Sequence, residues 1–324
     1  MGLREGWEGK LQGSVVIVPF YFPLSSVRAI IAAIMRKVID IFQEKPHTFS
    51  FELFPPKTEG GYTKLLETIG LMAGWKPDFI SVTYGAGGGN REKTFQIVDH
   101  IQKTHRIVGV AHLTCVGTTK DQIQNILREI KDLGIRNILT LRGDPPKDNP
   151  GWQPGPDNLK YSSELCEFIR SLYGDYFGIG VAGFPEGHIL CPDRELDAHY
   201  LKLKIEAGAD YVITQLFFDN RDYFEYVRRL RWLGVNARII PGIVPITDYK
   251  TIVNFCRLCG AGIPQSVHET FGPLQDDPQA TLQEGIRFAI GQCQELLAHG
   301  APGIHFYTLN KIHPTDAILA EIRS

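Results

Sequence analysis

Glu52 is a lone carboxylate among aromatic and apolar residues, in the sequence FSFELFPP. Burying an ionised carboxylate in apolar surroundings is costly, so the sequence predicts a raised pKa, which suits a general acid near neutral pH. An alternative of equal standing is a carboxylate paired with a neighbouring lysine or arginine. Glu52 is therefore the first candidate catalytic residue, and the alternative is a structural carboxylate in an ion pair.

Other polar groups follow short apolar runs. In LTLRGDPPK, Arg142 and Asp144 flank a glycine, so a guanidinium, a carboxylate and the backbone can face one ligand; a salt-bridged turn is the alternative. Gln215 ends VITQ and offers a neutral amide suited to the edge of a heterocycle. Asp197 and Lys204, two turns apart on a predicted helix, suit a phosphate or ribose partner, or equally a solvated helix face.

Three features that could bind a metal or a dinucleotide are incomplete. His112 has no second ligand at metal-binding spacing, and the CxxC pair Cys256 and Cys259 lies in a helical pattern that predicts core packing. The glycine-rich segment at 85–90 is not a dinucleotide fingerprint, because Asn90 stands at the last glycine position. The sequence therefore predicts no metal, and a loop that gives a flat ligand access to the backbone.

These side chains need a scaffold that gathers many strand ends. After His47 the chain alternates between short β-branched or aromatic runs and longer segments of helical period. The predicted strands are Thr48–Leu53, Phe79–Thr83, Ile107–Leu113, Asn137–Leu141, Gly178–Ala182, Tyr211–Gln215, Arg238–Gly242 and Gly303–Phe306. The predicted helices are Tyr62–Ala73, Arg91–Thr104, Lys120–Leu133, Ser162–Tyr173, Asp193–Ala207, Arg221–Leu233, Tyr249–Leu258, Ala280–Ala298 and Thr315–Ile322.

Eight repeated βα units favour one architecture. They require a parallel sheet covered by helices, and they most simply close into a single (β/α)8 barrel of TIM type; an open doubly wound sheet is the alternative. A helical insertion precedes the last strand. In such barrels the chemistry lies at the carboxyl ends of the strands, where most of the candidate residues fall.

Composition excludes several classes of partner. The 324 residues carry 34 basic and 36 acidic side chains, a formal net charge of −2, which leaves no basic surface for nucleic acid or an anionic membrane. Six scattered cysteines do not form a disulfide framework and indicate free thiols in a reducing cytoplasm.

The amino-terminal segment is separate from the barrel pattern. Its apolar run at 15–24 matches a secretory signal poorly, because prolines interrupt the run and acidic residues precede it. The sequence predicts an extension over 1–46, with Met35 as a possible natural start, and a barrel over 47–324.

The ordered segments FSFELFPPKT, FISVTYGAGG, HLTC, LRGDPP, VAGFPEGH, AGADYVITQLFFD, IIPGIVPI and HFYTLNK resemble the methylenetetrahydrofolate reductase family in order and spacing. The resemblance runs from about residue 47 to the end. It implies an eight-stranded barrel that holds FAD at its mouth. It also implies reduction of 5,10-methylenetetrahydrofolate to 5-methyltetrahydrofolate by NADH or NADPH, in a ping-pong sequence through one shared site.

The resemblance also implies residue roles. Glu52 matches the acid that protonates the folate, Asp144 the carboxylate near the flavin and the pterin, and Gln215 the amide that orients folate and nicotinamide. Phe255 matches the ring that stacks on the folate side chain, and Thr83 and Lys311 are further substrate-binding candidates. The implied FAD contacts are Thr83, His112, Arg142, Gly143, Asp144, Tyr161, Ser162, Phe184, His188, Asp197 and Lys204.

The sequence departs from the family pattern at Phe184, Tyr200, Leu203 and Lys311, so the adenosine and pyrophosphate contacts of FAD are less defined than the catalytic ones. The choice between NADH and NADPH is open, and a homo-oligomer, either dimer or tetramer, is expected. Because the chain ends soon after the last barrel helix, we expect no regulatory domain that binds S-adenosylmethionine. The alternative is a flavin-free or partner-dependent barrel subunit of the same family.

Overall fold

The computed structural model describes residues 36–84, 91–145, 149, 151–191 and 193–323. Within them, eight parallel strands pair in chain order and close into a barrel, with β8 against β1. The strands are β1 (Thr48–Leu53), β2 (Phe79–Val82), β3 (Val108–Thr114), β4 (Asn137–Leu141), β5 (Gly178–Gly183), β6 (Tyr211–Leu216), β7 (Arg238–Ile243) and β8 (Gly303–Tyr307). All eight predicted strands and the barrel are confirmed.

Eleven α-helices accompany the strands in the described residues, and most lie between consecutive strands. They are α1 (Val38–Glu44), α2 (Glu59–Ala73), α3 (Arg91–His105), α4 (Lys120–Asp132), α5 (Ser162–Tyr173), α6 (Arg194–Glu206), α7 (Asn220–Trp232), α8 (Tyr249–Cys259), α9 (Gln265–Phe271), α10 (Pro278–Ala298) and α11 (Thr315–Ile322). Helix α9 and a short 3-10 turn over Gly272–Leu274 form the predicted insertion before β8. None of these helices is both long enough and apolar enough to cross a membrane.

The two-residue repeat of the strands decides which side chains enter the barrel. In β1, Phe51 and Leu53 belong to the large apolar cluster that the helices cover. Ser50 and Glu52 alternate with them, and the Ser50 hydroxyl contacts a buried side chain of β8. Because all eight strands of the barrel are parallel, the carboxyl end of each strand lies at the same end of the barrel.

Helix α1 closes the opposite end of the barrel. Its buried residues Val38, Ile41 and Phe42 belong to one apolar cluster with the lowest inward-facing side chains, among them Tyr211. The Asn137 Oδ1 atom, at the first residue of β4, accepts a 2.8 Å hydrogen bond from Val38 N and fixes where the helix begins. The segment 1–35, Met35 included, and the glycine-rich loop at 85–90 lie outside the described residues.

Candidate active site at the barrel mouth

A cavity of about 540 Å³ opens at the carboxyl ends of the strands. It brings together eight of the predicted site residues, from seven segments of the chain. These are Glu52, Thr83, His112, Gly143, Asp144, Phe184, Gln215 and Phe255. Apolar side chains such as Leu139 and Ile213 form part of the same lining, so the cavity suits a ligand with a flat apolar body and polar edges.

Glu52 lies in this cavity between two histidines. Its Oε2 atom is 3.4 Å from His112 Nε2 and 3.7 Å from His305 Nε2, close enough for charge attraction although longer than a normal hydrogen bond. The Glu52 side chain keeps 18% of its surface exposed, whereas both imidazoles are buried. The carboxylate is thus paired, but with histidines rather than with the lysine or arginine that the sequence alternative required.

The expectation of a raised pKa for Glu52 is wrong. Burial is the largest single influence and does raise the pKa, but His305 and His112 together outweigh it and leave the pKa below its usual value. Burial lowers the pKa of His112, against the opposing attraction of Glu52. The two histidines therefore favour the ionised form of the Glu52 carboxyl group.

His305 connects Glu52 to the barrel interior, and the sequence reasoning missed it. Its Nδ1 atom lies 2.7 Å from Ser50 Oγ, and its Nε2 atom lies 3.5 Å from Ser81 Oγ. Its ring also stacks on Phe79 at 5.9 Å between centroids. A signal was present, because Ser50 lies two residues before Glu52 and therefore shares its inward face.

A second missed residue, Asn310, holds the end of β1 in place. Its Oδ1 atom accepts from Phe54 N at 2.9 Å, and its Nδ2 donates to Phe54 O at 2.8 Å. Thr308 Oγ1 donates to the carbonyl oxygen of Glu52 at 2.8 Å. The turn after β8 thus fixes the backbone at the Glu52 carbonyl and at Phe54, two residues further on.

The segment Arg142–Asp144 leaves β4 in the way the sequence predicted for a ligand-facing turn. Gly143 has φ +80°, and a Cβ there would lie 2.8 Å from Thr114 Cβ, so a side chain is excluded by both backbone and space. The Arg142 carbonyl accepts from Cys115 N and Val116 N, which ties the turn to β3. Neither Arg142 nor Asp144 forms an ion pair within the described part of the chain, and this argues against the salt-bridged turn.

Gln215 lies where the pairing of β6 and β7 shifts register, between Ile213 and Leu216. Its Oε1 atom accepts from Leu216 N at 2.9 Å, which leaves the amide NH2 group as the part directed to a ligand. The nearby Thr214 carbonyl accepts from Tyr307 OH at 2.6 Å, so β8 also supports this irregular point. Irregularities of this kind in strand pairing commonly redirect a side chain toward a functional site.

A group of polar residues lies beside the cavity, where α6 packs on the end of β5. Lys204 Nζ donates to the Ala182 carbonyl at 2.9 Å and lies 5.5 Å from the centre of the Phe184 ring. Burial lowers the pKa of Lys204, and burial raises the pKa of Asp197 to about 6. Asp197 is 7% exposed and Lys204 is only partly exposed, which contradicts the alternative of a solvated helix face.

His188 joins this group to the turn after β4. Its ring contacts Phe184 edge to face at 4.6 Å. Burial lowers the pKa of His188, and the charges of Lys204 and Arg142 lower it further, while Asp144 opposes them. His188 and Lys204 therefore both lie against the Phe184 ring, and Arg142 lies near enough for its charge to lower the pKa of His188.

The remaining predicted site residues lie away from the cavity lining. Tyr161 is 47% exposed beside Lys160, and Ser162 is buried with its hydroxyl donating to the Thr140 carbonyl at 3.0 Å. Lys311 lies in the turn after β8, where its charge acts on Asp248. Among the described residues, no group of three or more histidine, cysteine, aspartate or glutamate side chains could hold a metal ion.

The fold and this site define a (β/α)8 barrel with a cavity of polar and apolar lining at its mouth, the end at which barrel proteins bind their ligands. The chain matches the family described as methylenetetrahydrofolate reductase over residues 36–323. It belongs to that family.

Named relatives agree with this assignment. Methylenetetrahydrofolate reductase 1 of Schizosaccharomyces pombe is 40% identical over 266 residues, covering 81% of this chain and 44% of the relative. Methylenetetrahydrofolate reductase (NADH) 1 of Arabidopsis thaliana is 37% identical, covering 86% and 48%. The bacterial 5,10-methylenetetrahydrofolate reductase of Pectobacterium carotovorum is 34% identical, covering 83% and 88%. The chain therefore spans about half the length of the plant and yeast relatives that it matches.

A solved structure shares the fold at low sequence identity. It is an uncharacterized protein from Clostridium thermocellum, described as binding two copies of 5-methyl-5,6,7,8-tetrahydrofolic acid. The TM-score is 0.61 and the identity 16%, covering 88% of this chain and 96% of that one. At this identity the likeness concerns the barrel alone.

Proposed function

We propose that this protein uses a bound flavin, FAD, to reduce 5,10-methylenetetrahydrofolate to 5-methyltetrahydrofolate with NAD(P)H as the electron donor. The observation that carries the proposal is the position of Glu52. It is a carboxylate between two buried histidines at the edge of a cavity, in a chain of the methylenetetrahydrofolate reductase family. A carboxylate in this setting can deliver a proton to a bound heterocycle.

The residues around the cavity fit a flavin. His112 lines the cavity, and its buried Nε2 atom has no hydrogen-bond partner among the described residues, so it can bond a polar ring edge. Arg142, His188 and Lys204 supply cationic or hydrogen-bonding groups for a diphosphate beside the same cavity. When bound there, FAD would accept hydride from the nicotinamide and pass it to the folate.

Glu52 would act on the folate as the proton donor. The carboxylate must first take up a proton, and a ligand that fills the cavity would promote this by removing the remaining exposed surface of the side chain. The proton would then leave from the cavity-facing carboxyl oxygen to a ring nitrogen of the folate, so that the ring opens to a cationic iminium. His305 and Ser50 would keep the carboxyl group oriented during this step.

Asp144 and Gln215 would hold the same substrate from the other strands. Asp144 is exposed at the cavity, and its negative charge would stabilise the cationic iminium and bond the pterin. The Gln215 amide would orient the folate and, in the other half of the cycle, the nicotinamide. Phe255, 38% exposed on α8, would contact the folate side chain.

A cavity of about 540 Å³ suits one substrate at a time beside the flavin, which favours a ping-pong sequence through one shared position. The relative from Arabidopsis thaliana is named as an NADH enzyme, but a relative's name does not decide the donor for this chain, so the proposal is NAD(P)H. We further propose a homo-oligomer in the cytoplasm, with residues 47–324 as the catalytic barrel and 1–46 as an extension whose helix α1 covers one end of that barrel.

Anaerobic stopped-flow spectroscopy of the purified protein tests the proposal. The protein should be yellow, NADH or NADPH should bleach the flavin absorbance, and methylenetetrahydrofolate should then restore it. A colourless protein that takes up no added FAD would favour the flavin-free or partner-dependent subunit instead. A yellow protein that NAD(P)H reduces but folate does not reoxidise would contradict the proposed acceptor alone.

A further inference from the structure

Two segments that follow different strands meet beside the mouth of the barrel. Gly262, just after α8, donates its N–H to the Glu186 carboxylate in the β5–α6 loop, at 3.0 Å from each oxygen. Gly260, which ends α8, packs so closely on Ile189 of the same loop that a Cβ there would lie 2.8 Å from Ile189 Cβ. Two separate contacts therefore join α8 to the β5–α6 loop across the end of β6.

Glu186 has no role in the proposed chemistry, although it lies between the site residues Phe184 and His188. Burial raises its pKa, and the Gly262 N–H acts in the opposite direction. Of the nearby charges, Arg194 is favourable, whereas Asp219 and Asp222 are like charges. The described part of the chain gives Glu186 no ion pair, so the backbone N–H of Gly262 is its hydrogen-bond donor.

The contact joins two segments that each contribute an aromatic ring to the cavity lining. Phe184 lies two residues before Glu186, and Phe255 lies on α8, seven residues before Gly262; both rings line the cavity. Gln215, at the end of β6, lines the cavity as well. The separation of the two aromatic side chains therefore depends on how firmly α8 is held to the β5–α6 loop.

We propose that Glu186 is a positioning residue that holds α8, and with it Phe255, at the distance from the β5–α6 loop that the folate substrate requires. This inference rests on the proposed function, because it assigns Phe255 to the folate. Loss of the contact would free α8 to move outward and widen the cavity on the Phe255 side. The step that involves only nicotinamide and flavin would be little affected.

The first test compares Glu186→Ala with Glu186→Gln, which keeps an oxygen able to accept from Gly262 N. Glu225→Ala, at an exposed position on α7, is the matched control. A hydrogen bond to a charged group corresponds to about a tenfold change in an equilibrium. Glu186→Ala should thus raise KM for methylenetetrahydrofolate about 10-fold with kcat within about 3-fold, and leave the rate of flavin bleaching at saturating NAD(P)H unchanged.

Glu186→Gln and Glu225→Ala should keep KM within about 2-fold of the parent value. An unchanged folate KM in Glu186→Ala would overturn the inference. So would an equal loss of flavin bleaching and folate turnover, because that pattern indicates general loosening of the barrel mouth.

Gly262 offers a test from the other side of the contact. A Cβ at this position would lie 2.5 Å from Glu186 Oε1, so Gly262→Ala must displace the carboxylate. Alone, this variant should raise the folate KM as Glu186→Ala does. In the Glu186→Ala background it should add nothing, since the clashing group is gone. Additive effects of the two substitutions would contradict the proposed contact.

Hydrogen exchange measured on the holoprotein separates this inference from the proposed function. Amides in the segment 255–264 should exchange about 10-fold faster in Glu186→Ala than in the parent or in Glu186→Gln, because the contact that restrains them is lost. This result needs no turnover, so it can hold even where folate reduction fails. Unchanged exchange in a protein that does reduce folate would overturn the inference and leave the proposed function intact.

Discussion

Glu52 has surroundings that stabilise an ionised carboxylate, yet its proposed task is to give up a proton. The two facts are compatible when proton uptake accompanies substrate binding, since a bound ligand removes water from the carboxylate while His112 and His305 stay 3.4 and 3.7 Å away. The folate half of the reaction should therefore respond to pH, and the flavin-bleaching half should not depend on Glu52.

Glu52→Gln tests the acid assignment. The amide preserves size but has no proton to donate, so reoxidation of the reduced flavin by methylenetetrahydrofolate should fall by about 10²–10⁴-fold. Flavin bleaching by NAD(P)H should persist at close to the parent rate. Glu67→Gln, at an exposed position on α2, controls for the change of charge. Retained folate turnover in Glu52→Gln would show that another group supplies the proton.

His305→Gln tests the pH dependence. His305 lowers the pKa of Glu52, whereas burial raises it, so removing the imidazole should raise that pKa. Because Glu52 acts in its protonated form, kcat/KM for the folate should decline with rising pH, and the decline should begin at higher pH in His305→Gln than in the parent. The test compares the pH at which kcat/KM begins to decline in the two proteins, and not the absolute values of kcat/KM. A decline displaced to lower pH would contradict the charge interaction.

At the scale of the elements, the closure of β8 against β1 matters most for the site. Asn310 connects the turn after β8 to Phe54, and Thr308 bonds the Glu52 carbonyl. Asn310 itself has φ +58°, a left-handed conformation that asparagine tolerates better than most residues. The hydrogen bonds from this turn hold the end of β1, a contact that we call the clamp, and thereby fix the position of Glu52.

Asn310→Gly separates the clamp from the backbone conformation. Glycine accepts a positive φ without strain, so this variant loses only the two hydrogen bonds to Phe54, at a cost of about 1–3 kcal/mol in the free energy of unfolding. Asn310→Ala should cost about 1 kcal/mol more, because alanine is strained at this φ. Urea unfolding of both variants measures the difference. If Asn310→Gly and Asn310→Ala were equally stable, the backbone strain proposed for alanine at this φ would be contradicted. If Asn310→Gly were as stable as the parent, the stabilising role of the hydrogen bonds to Phe54 would be contradicted.

The sequence predicted the elements well and the contacts between distant elements poorly. The run at Ile107–Leu113 predicted β3, found at Val108–Thr114, because the period of apolar residues is local information. The contact of His305 with Ser50 spans 255 residues, and that of Asn310 with Phe54 spans 256. The two-residue repeat of β1 shows that Ser50 faces inward, but no local pattern shows which distant residue either contact reaches. The sign of the Glu52 pKa shift was mispredicted for the same reason, since both histidines come from other strands.

At the scale of the whole molecule, the two ends of the barrel differ in composition and in proposed role. The carboxyl end of the barrel, its mouth, holds the cavity. Helix α1 covers the opposite end, here called the floor, over a layer of apolar side chains. Phe42 contacts Tyr211 edge to face at 5.5 Å, and the Arg238 guanidinium lies 5.0 Å from the centre of the Phe42 ring. The floor should therefore contribute stability, while the site chemistry should depend on it little.

Phe42→Ala tests that division. Phe42 is 6% exposed, and truncating a buried aromatic ring costs about 3–5 kcal/mol, because apolar burial is lost and a cavity remains. Leu71→Ala, at a position 65% exposed on α2, should cost under about 1 kcal/mol. Urea unfolding gives both values, and stopped-flow at low temperature should show both half-reactions of folded Phe42→Ala near the parent rates. If folded Phe42→Ala lost folate reduction, the packing at the floor would have to affect the site at the mouth through the barrel interior.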